Sequence, residues 1–189
     1  MYFQQVPVLI NHDWLRTKSI AQRLVQLKEQ GSVLDFGNSV HYDLGPIGSI
    51  SDHKLSARWF RVAGPNVRNT MPWLITMIEM MKDLQPDDGV ISYLEGDGGL
   101  HTDNPEYPSA FNYIFDNEDQ SAYTWVEADN QTFNYKSQVD TAWILNTQMP
   151  HGIKNNGKRW ALSIHFKADY DTLKKWFDVQ GKLIFGNKE

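Results

Sequence analysis

The order of its elements predicts that this chain has an α+β fold, mainly β, with helices first and a β-rich body after them. Three observations carry the prediction. Before residue 89, apolar residues recur at helical spacing in two stretches. After it, short runs rich in β-branched and aromatic residues alternate with turn residues, as in a sandwich or barrel. The chain has 189 residues and no cysteine, so a buried core and not a disulfide framework must hold it.

Residues 13 to 30 read as a helix, capped by Asp13, with Leu15, Ile20, Leu24 and Leu27 near helical spacing and Gly31 to end it. From Gly37 to His53 the chain is loop-like and long enough to serve as a lid, with Tyr42 and Asp43 within it. Residues 70 to 84 read as a second helix. Thr70 caps it, Pro72 sits in its first turn, and Trp73, Leu74, Met77, Ile78, Met81 and Leu84 form a broad apolar face. Methionine-containing stripes of this kind ordinarily pack inward, so core packing is expected over a partner groove. The segment Gln85-Pro86-Asp87-Asp88-Gly89 stops the helix.

Seven strands are expected beyond it: 90–94, 110–115, 122–127, 132–135, 141–145, 151–154 and 159–166. A last helix is expected from about Asp171 to Asp178. The chain reads as one domain, with helical and loop support over 1–88, a β core over 89–167 and a C-terminal helix and tail over 168–189.

Composition removes several classes. Without cysteine there is no iron–sulfur cluster, thiolate zinc site or cysteine nucleophile. A net charge of -5 with no basic run argues against general nucleic-acid binding. No apolar run approaches a membrane span, and the N-terminus lacks the basic start and apolar core of a secretory signal, so a soluble, cytoplasmic protein is expected.

Chemistry concentrates in the β region. His101 and Asp103 are two apart, and in extended chain they project to one side, as half of a hard, borderline metal site. His151 sits between Pro150 and Gly152, and a second imidazole would complete a two-His, one-carboxylate face with three open positions. The run Arg159-Trp160-Ala161-Leu162-Ser163-Ile164-His165-Phe166 alternates cleanly. Its aromatic and aliphatic face must pack on something, while the face of Arg159, Ala161, Ser163 and His165 is small and polar. Arg159 could take a carboxylate in a bidentate pair, with Ser163 adding a hydroxyl and His165 read as structural. Alone, each element also suits a blander role: a surface turn, a core histidine bonded to a carbonyl, or the solvent side of a sheet. Together and in this order they are far more specific.

The combination of Tyr93, the Gly-rich turn Gly96-Asp97-Gly98-Gly99, His101-Thr102-Asp103, His151, Arg159 and Ser163 resembles the Fe(II)- and 2-oxoglutarate-dependent oxygenase superfamily over about residues 89 to 167. Its texture is similar to the prolyl-hydroxylase-like branch. The run Trp143, Asn146, His151, Asn155 and Arg159 also looks like aspartyl/asparaginyl-hydroxylase-like relatives. The resemblance implies a double-stranded β-helix (a jelly roll, cupin-like) with supporting N-terminal helices. It implies that His101, Asp103 and His151 hold Fe(II), and that Arg159, Ser163 and Tyr93 bind the distal carboxylate of 2-oxoglutarate, the co-substrate used with O2. Asn112 or Tyr113 would stand near it. Halogenases of the superfamily lack the carboxylate that Asp103 supplies, so the implied reaction is hydroxylation of an unactivated C–H in an amino acid, a peptide or protein residue or a small metabolite, with release of succinate and CO2. Arg58, Trp59, Arg61 and Arg68 would lie on the lid side. Two other readings fit the fold: a cupin-type metalloenzyme without 2-oxoglutarate, and a non-catalytic jelly-roll binding module.

Overall fold

The computed structural model describes residues 2–6, 34–35, 56–61, 72–87 and 89–181, with the backbone alone at 34–35, 56–61, 72, 73 and 93. The helix expected over 13–30, the loop over 37–53, the cap Thr70 and Arg68 lie outside these residues.

Eleven strands form two antiparallel sheets among the described residues: β1 (Phe3–Val6), β2 (Leu34–Asp35), β3 (Ser56–Arg61), β4 (Val90–Glu95), β5 (Gly98–His101), β6 (Ser109–Asn117), β7 (Tyr123–Ala128), β8 (Gln131–Lys136), β9 (Thr141–Asn146), β10 (His151–Lys154) and β11 (Lys158–Phe166). Two α-helices are described with them, α1 (Pro72–Met80) and α2 (Tyr170–Trp176). The larger sheet runs β1-β9-β6-β11-β4-β3-β2 and the smaller β5-β10-β7-β8. All seven expected strands form. Four more appear, three of them from the stretch expected to be helices and loops, where they extend the larger sheet at both edges.

Alternation along β11 builds the layers. Leu162, Ile164 and Phe166 are buried against α1, α2 and the turns beside them, with Leu74, Met77, Met81, Leu84, Tyr170, Leu173 and Phe177. Fully burying each such side chain is worth about 1.5–3 kcal/mol. The apolar stripe of α1 is therefore core and not a partner groove. The opposite face of β11 carries Arg159, Ser163 and His165 toward the smaller sheet, so the space between the sheets holds the polar groups.

The second helix is shorter than its apolar spacing predicts. It ends at Met80 and continues as a 3-10 turn over Lys82–Leu84, closed by Gln85 in the left-handed region at φ 52. The tighter turn lets Met81 and Leu84 both reach the core before Pro86. At the other end, Asp169 caps α2 by accepting from the Thr172 N–H at 2.8 Å, and α2 continues into a π turn over Phe177–Gly181.

Candidate active site

His101 closes β5 and His151 opens β10, and the two are register partners on antiparallel strands. Paired residues share a face, so the rings meet with centroids 4.4 Å apart. Asp103 follows β5 and is tied down by its N–H, which donates to the Thr147 carbonyl at 3.0 Å. Its Oδ1 lies 3.5 Å from His101 Nε2 and 3.8 Å from His151 Nε2.

The second nitrogens explain the orientation. His101 Nδ1 stands 2.8 Å from the Gly99 carbonyl, and His151 Nδ1 stands 2.9 Å from the Met149 carbonyl. A carbonyl only accepts, so each Nδ1 carries the proton and each Nε2 presents a lone pair. Two imidazole lone pairs and one carboxylate oxygen, all within 4.8 Å of one another, fit a divalent ion. This donor set with open positions suits non-haem Fe(II).

The electrostatics agree. Burial holds the His151 imidazole below its ordinary pKa, so it is neutral and available. Burial also pulls His101 down, but the Asp103 carboxylate and the Gly99 carbonyl outweigh it and raise the pKa. Burial pushes Asp103 up, yet its contact with His101 and the charges of His151 and His165 bring it below the usual carboxylate range. The cluster favours a carboxylate among nitrogen donors.

Between the sheets lies a cavity of about 190 Å³, and His101, Asp103 and His151 line its wall. Arg159 lines it too, although only 6% exposed. Burial pushes its pKa down to about 10, so it stays charged at neutral pH. Its Nε is buried without a hydrogen-bond partner among the described residues, and the Tyr135 phenol favours its charge. A buried cation with an unmade hydrogen bond is costly, and a bound anion would compensate it. Ser163 lines the same cavity, with its Oγ donating to Asn112 Oδ1 at 2.6 Å.

Of the residues singled out in the sequence, His101, Asp103, His151, Arg159 and Ser163 meet in this one cavity, and Asn112 joins them. Tyr113 does not: it is buried in the helix-side core and its hydroxyl donates to Asp140. Asn146 and Asn155 shape turns, the first accepting from the Gln148 N–H at 3.1 Å and the second donating to the Gly157 carbonyl at 2.6 Å. The side chain of Tyr93 lies outside the described residues, and Val90, Ser92 and Leu94 of its strand line the cavity. Arg58 and Arg61 stand on β3, opposite Tyr93 and Val90, with backbone alone described. His165 is more than a structural residue of β11: it lines the cavity with Nε2 at 3.8 Å from Asp103 Oδ2. Tyr135 and Thr124 also line it. Period-two alternation put His165 on the face of Arg159, so that signal was readable, whereas nothing local tells which face of β8 turns Tyr135 inward.

No family model and no curated protein sequence matches the chain. Solved structures do. A prolyl hydroxylase from Trichoplax adhaerens, in complex with a hypoxia inducible factor oxygen degradation domain peptide fragment, superposes with a TM-score of 0.58 at 12% identity, covering 92% of this chain and 86% of that one. A prolyl-4-hydroxylase from Pseudomonas putida superposes with a TM-score of 0.53 at 12% identity, covering 88% of this chain and 92% of that one. With its two facing antiparallel sheets and its polar cavity between them, the chain has the double-stranded β-helix fold of these prolyl hydroxylases.

Proposed function

We infer that the chain is an Fe(II)- and 2-oxoglutarate-dependent oxygenase that hydroxylates a C–H of an amino acid, a peptide or protein residue or a small metabolite. One observation carries the reading: the buried Arg159 guanidinium, whose Nε has no hydrogen-bond partner among the described residues, shares a cavity of about 190 Å³ with the His101, Asp103 and His151 donor set. A metal site alone suits any cupin. A metal site facing a buried cation suits a co-substrate with a metal-chelating end and an anionic end.

His101, Asp103 and His151 would hold the iron. Bound there with 2-oxoglutarate, it would supply the activation of O2, with one oxygen atom going to the substrate and one to succinate as CO2 leaves. The chain's own residues bind and orient. Arg159 pairs with the distal carboxylate, and its fork geometry makes the pair bidentate. Ser163 would donate to the same carboxylate by turning its hydroxyl from Asn112, and Tyr135, which favours the charge on Arg159, lines the same cavity. Leu94, Leu145 and Ile153 give the cavity dry walls, which strengthens the ion pair and excludes water. The likeness to prolyl hydroxylases, one of them holding a peptide, favours a peptide or small-molecule substrate.

The test is anaerobic addition of 2-oxoglutarate to the iron-loaded protein. The expected result is the weak visible charge-transfer band of an Fe(II)–keto acid chelate, lost in His151→Ala and weakened in Arg159→Ala. Folded, iron-occupied protein without the band would end the 2-oxoglutarate reading.

A further inference from the structure

The inner face of the smaller sheet is built in rungs. His101 and His151 pair across β5 and β10. The next inward rung, two residues along β10, runs Gly98, Ile153, Thr124 and Tyr135 across all four strands, and each of these lines the cavity. Two residues of strand set the rungs about 7 Å apart. Arg159 enters from β11 of the larger sheet and lines the cavity with them. Among the described residues the cavity is closed at this end. Thr124, Tyr135 and Arg159 are 4, 7 and 6% exposed, whereas the side chains of His101 and Asp103 are 21 and 24% exposed.

Tyr135 is also held from behind. Its ring stacks on Trp143 with centroids 4.2 Å apart and planes at 28°, and Phe3 packs against the same ring at 4.6 Å. Phe3 and Trp143 come from β1 and β9 of the larger sheet. The end of the cavity is thus a phenol of one sheet wedged against two rings of the other. We propose that Tyr135 is a specificity-determining residue: while Arg159 pairs with the distal carboxylate, the Tyr135 phenol stops the carbon chain of the bound 2-oxo diacid and so selects five carbons over six. Each added methylene lengthens an extended diacid by about 1.3 Å. A longer one held at its keto end would drive its distal carboxylate into the phenol, and a close-packed wall does not yield without cost. The proposal rests on the co-substrate reading above.

The experiment is calorimetric titration of the Mn(II)-loaded protein, without O2, with 2-oxoglutarate and with 2-oxoadipate, which is one methylene longer. Melting curves of each variant run beside it. The wild type is expected to bind 2-oxoglutarate at least about ten-fold more tightly, the scale on which a pocket discriminates one methylene. Tyr135→Phe removes the hydroxyl and keeps the ring, and Tyr135→Leu removes the ring as well. The ratio of affinities should fall from wild type to Phe to Leu, through tighter binding of 2-oxoadipate. A merely structural role would weaken both acids alike. A wild-type ratio in these variants, or one lowered only through weaker 2-oxoglutarate binding, overturns the proposal. Equal affinity of the wild type for the two acids overturns it too. If Tyr135→Leu fails to fold, Tyr135→Phe decides by the same criteria. Wild-type protein that binds neither acid would instead overturn the co-substrate reading itself, and this proposal with it.

Discussion

The indole of Trp125 fills the space in which a side chain at Gly152 would stand. A Cβ there would lie 2.5 Å from ring carbon Cζ2 and 3.0 Å from the Gly98 carbonyl oxygen. Gly152 follows His151 on β10 and pairs with Trp125 on β7, so this glycine lets the indole cover the back of the strand that carries His151. Gly152→Ala should therefore destabilise the fold by about 1–3 kcal/mol, read from urea unfolding. Because one clash is with backbone, β10 must shift, and divalent-metal affinity should fall with stability. Adding Trp125→Ala should relieve the ring clash but not the carbonyl one, so rescue should be partial. Wild-type stability in Gly152→Ala would contradict this account of the glycine.

Arg159 predicts a conflict between stability and binding. It is a buried charge whose Nε has no hydrogen-bond partner among the described residues. Arg159→Met removes that charge and keeps an unbranched apolar stem, so it should melt at or above the wild-type temperature when no 2-oxo acid is present. The same change should weaken 2-oxoglutarate binding to the metal-loaded protein by at least about a hundred-fold, the scale of losing one partner of a buried charge pair. Arg159→Lys should recover little, because an ammonium cannot form the two parallel bonds of a guanidinium. Calorimetric titration with 2-oxoglutarate, beside melting curves, checks both halves.

Ser163 should matter less than Arg159. Its one proton already goes to Asn112 at 2.6 Å, so it can donate to a carboxylate only by giving up that bond. Ser163→Ala leaves Asn112 Oδ1 without that donor and should cost about 1 kcal/mol of stability. The KM for 2-oxoglutarate should rise by several-fold, well short of the Arg159 effect. An equal or larger effect from Ser163→Ala would place the main carboxylate contact elsewhere.

The β core and the pairing of His101 with Asp103 were legible because their signals are local, whereas His151 joined them only through the family resemblance. Alternation over Arg159–Phe166 assigned both faces correctly, and the two-residue spacing of His101 and Asp103 put their side chains together. What escaped depends on distant partners. The run Gly98-Gly99-Leu100-His101 looks like a turn because glycine weakens isolated strands, yet it forms β5 because β10 offers a partner with Gly152 at the close approach. The segment around Asp87 reads as a helix stop, and it is one. Its second task, gripping His165, needs a contact across 78 residues that no spacing rule contains. β1 and β3 escaped because the strands that pair them, β9 and β4, lie far along the chain from Phe3-Gln4-Gln5-Val6 and Ser56–Arg61.

Asp169 gives a pH test independent of the site. Its carboxylate accepts from the Thr172 N–H at the start of α2, and that bond holds its pKa below the usual value of 3.8. A depressed pKa means that the stabilisation is fully present above the ordinary value and is lost as pH falls through the lowered one. Asp169→Ala should cost about 1 kcal/mol at neutral pH, the ordinary worth of an N-cap. The gap between wild type and Asp169→Ala should narrow in urea unfolding as the pH is lowered to about 3, where the free carboxyl group is largely protonated. Asp169→Asn caps through an amide oxygen that does not titrate, so its advantage over Asp169→Ala should persist across the same range. If the wild-type and Asn caps lost their advantage over alanine together on acidification, the loss would come from the rest of the fold and not from the Asp169 carboxylate.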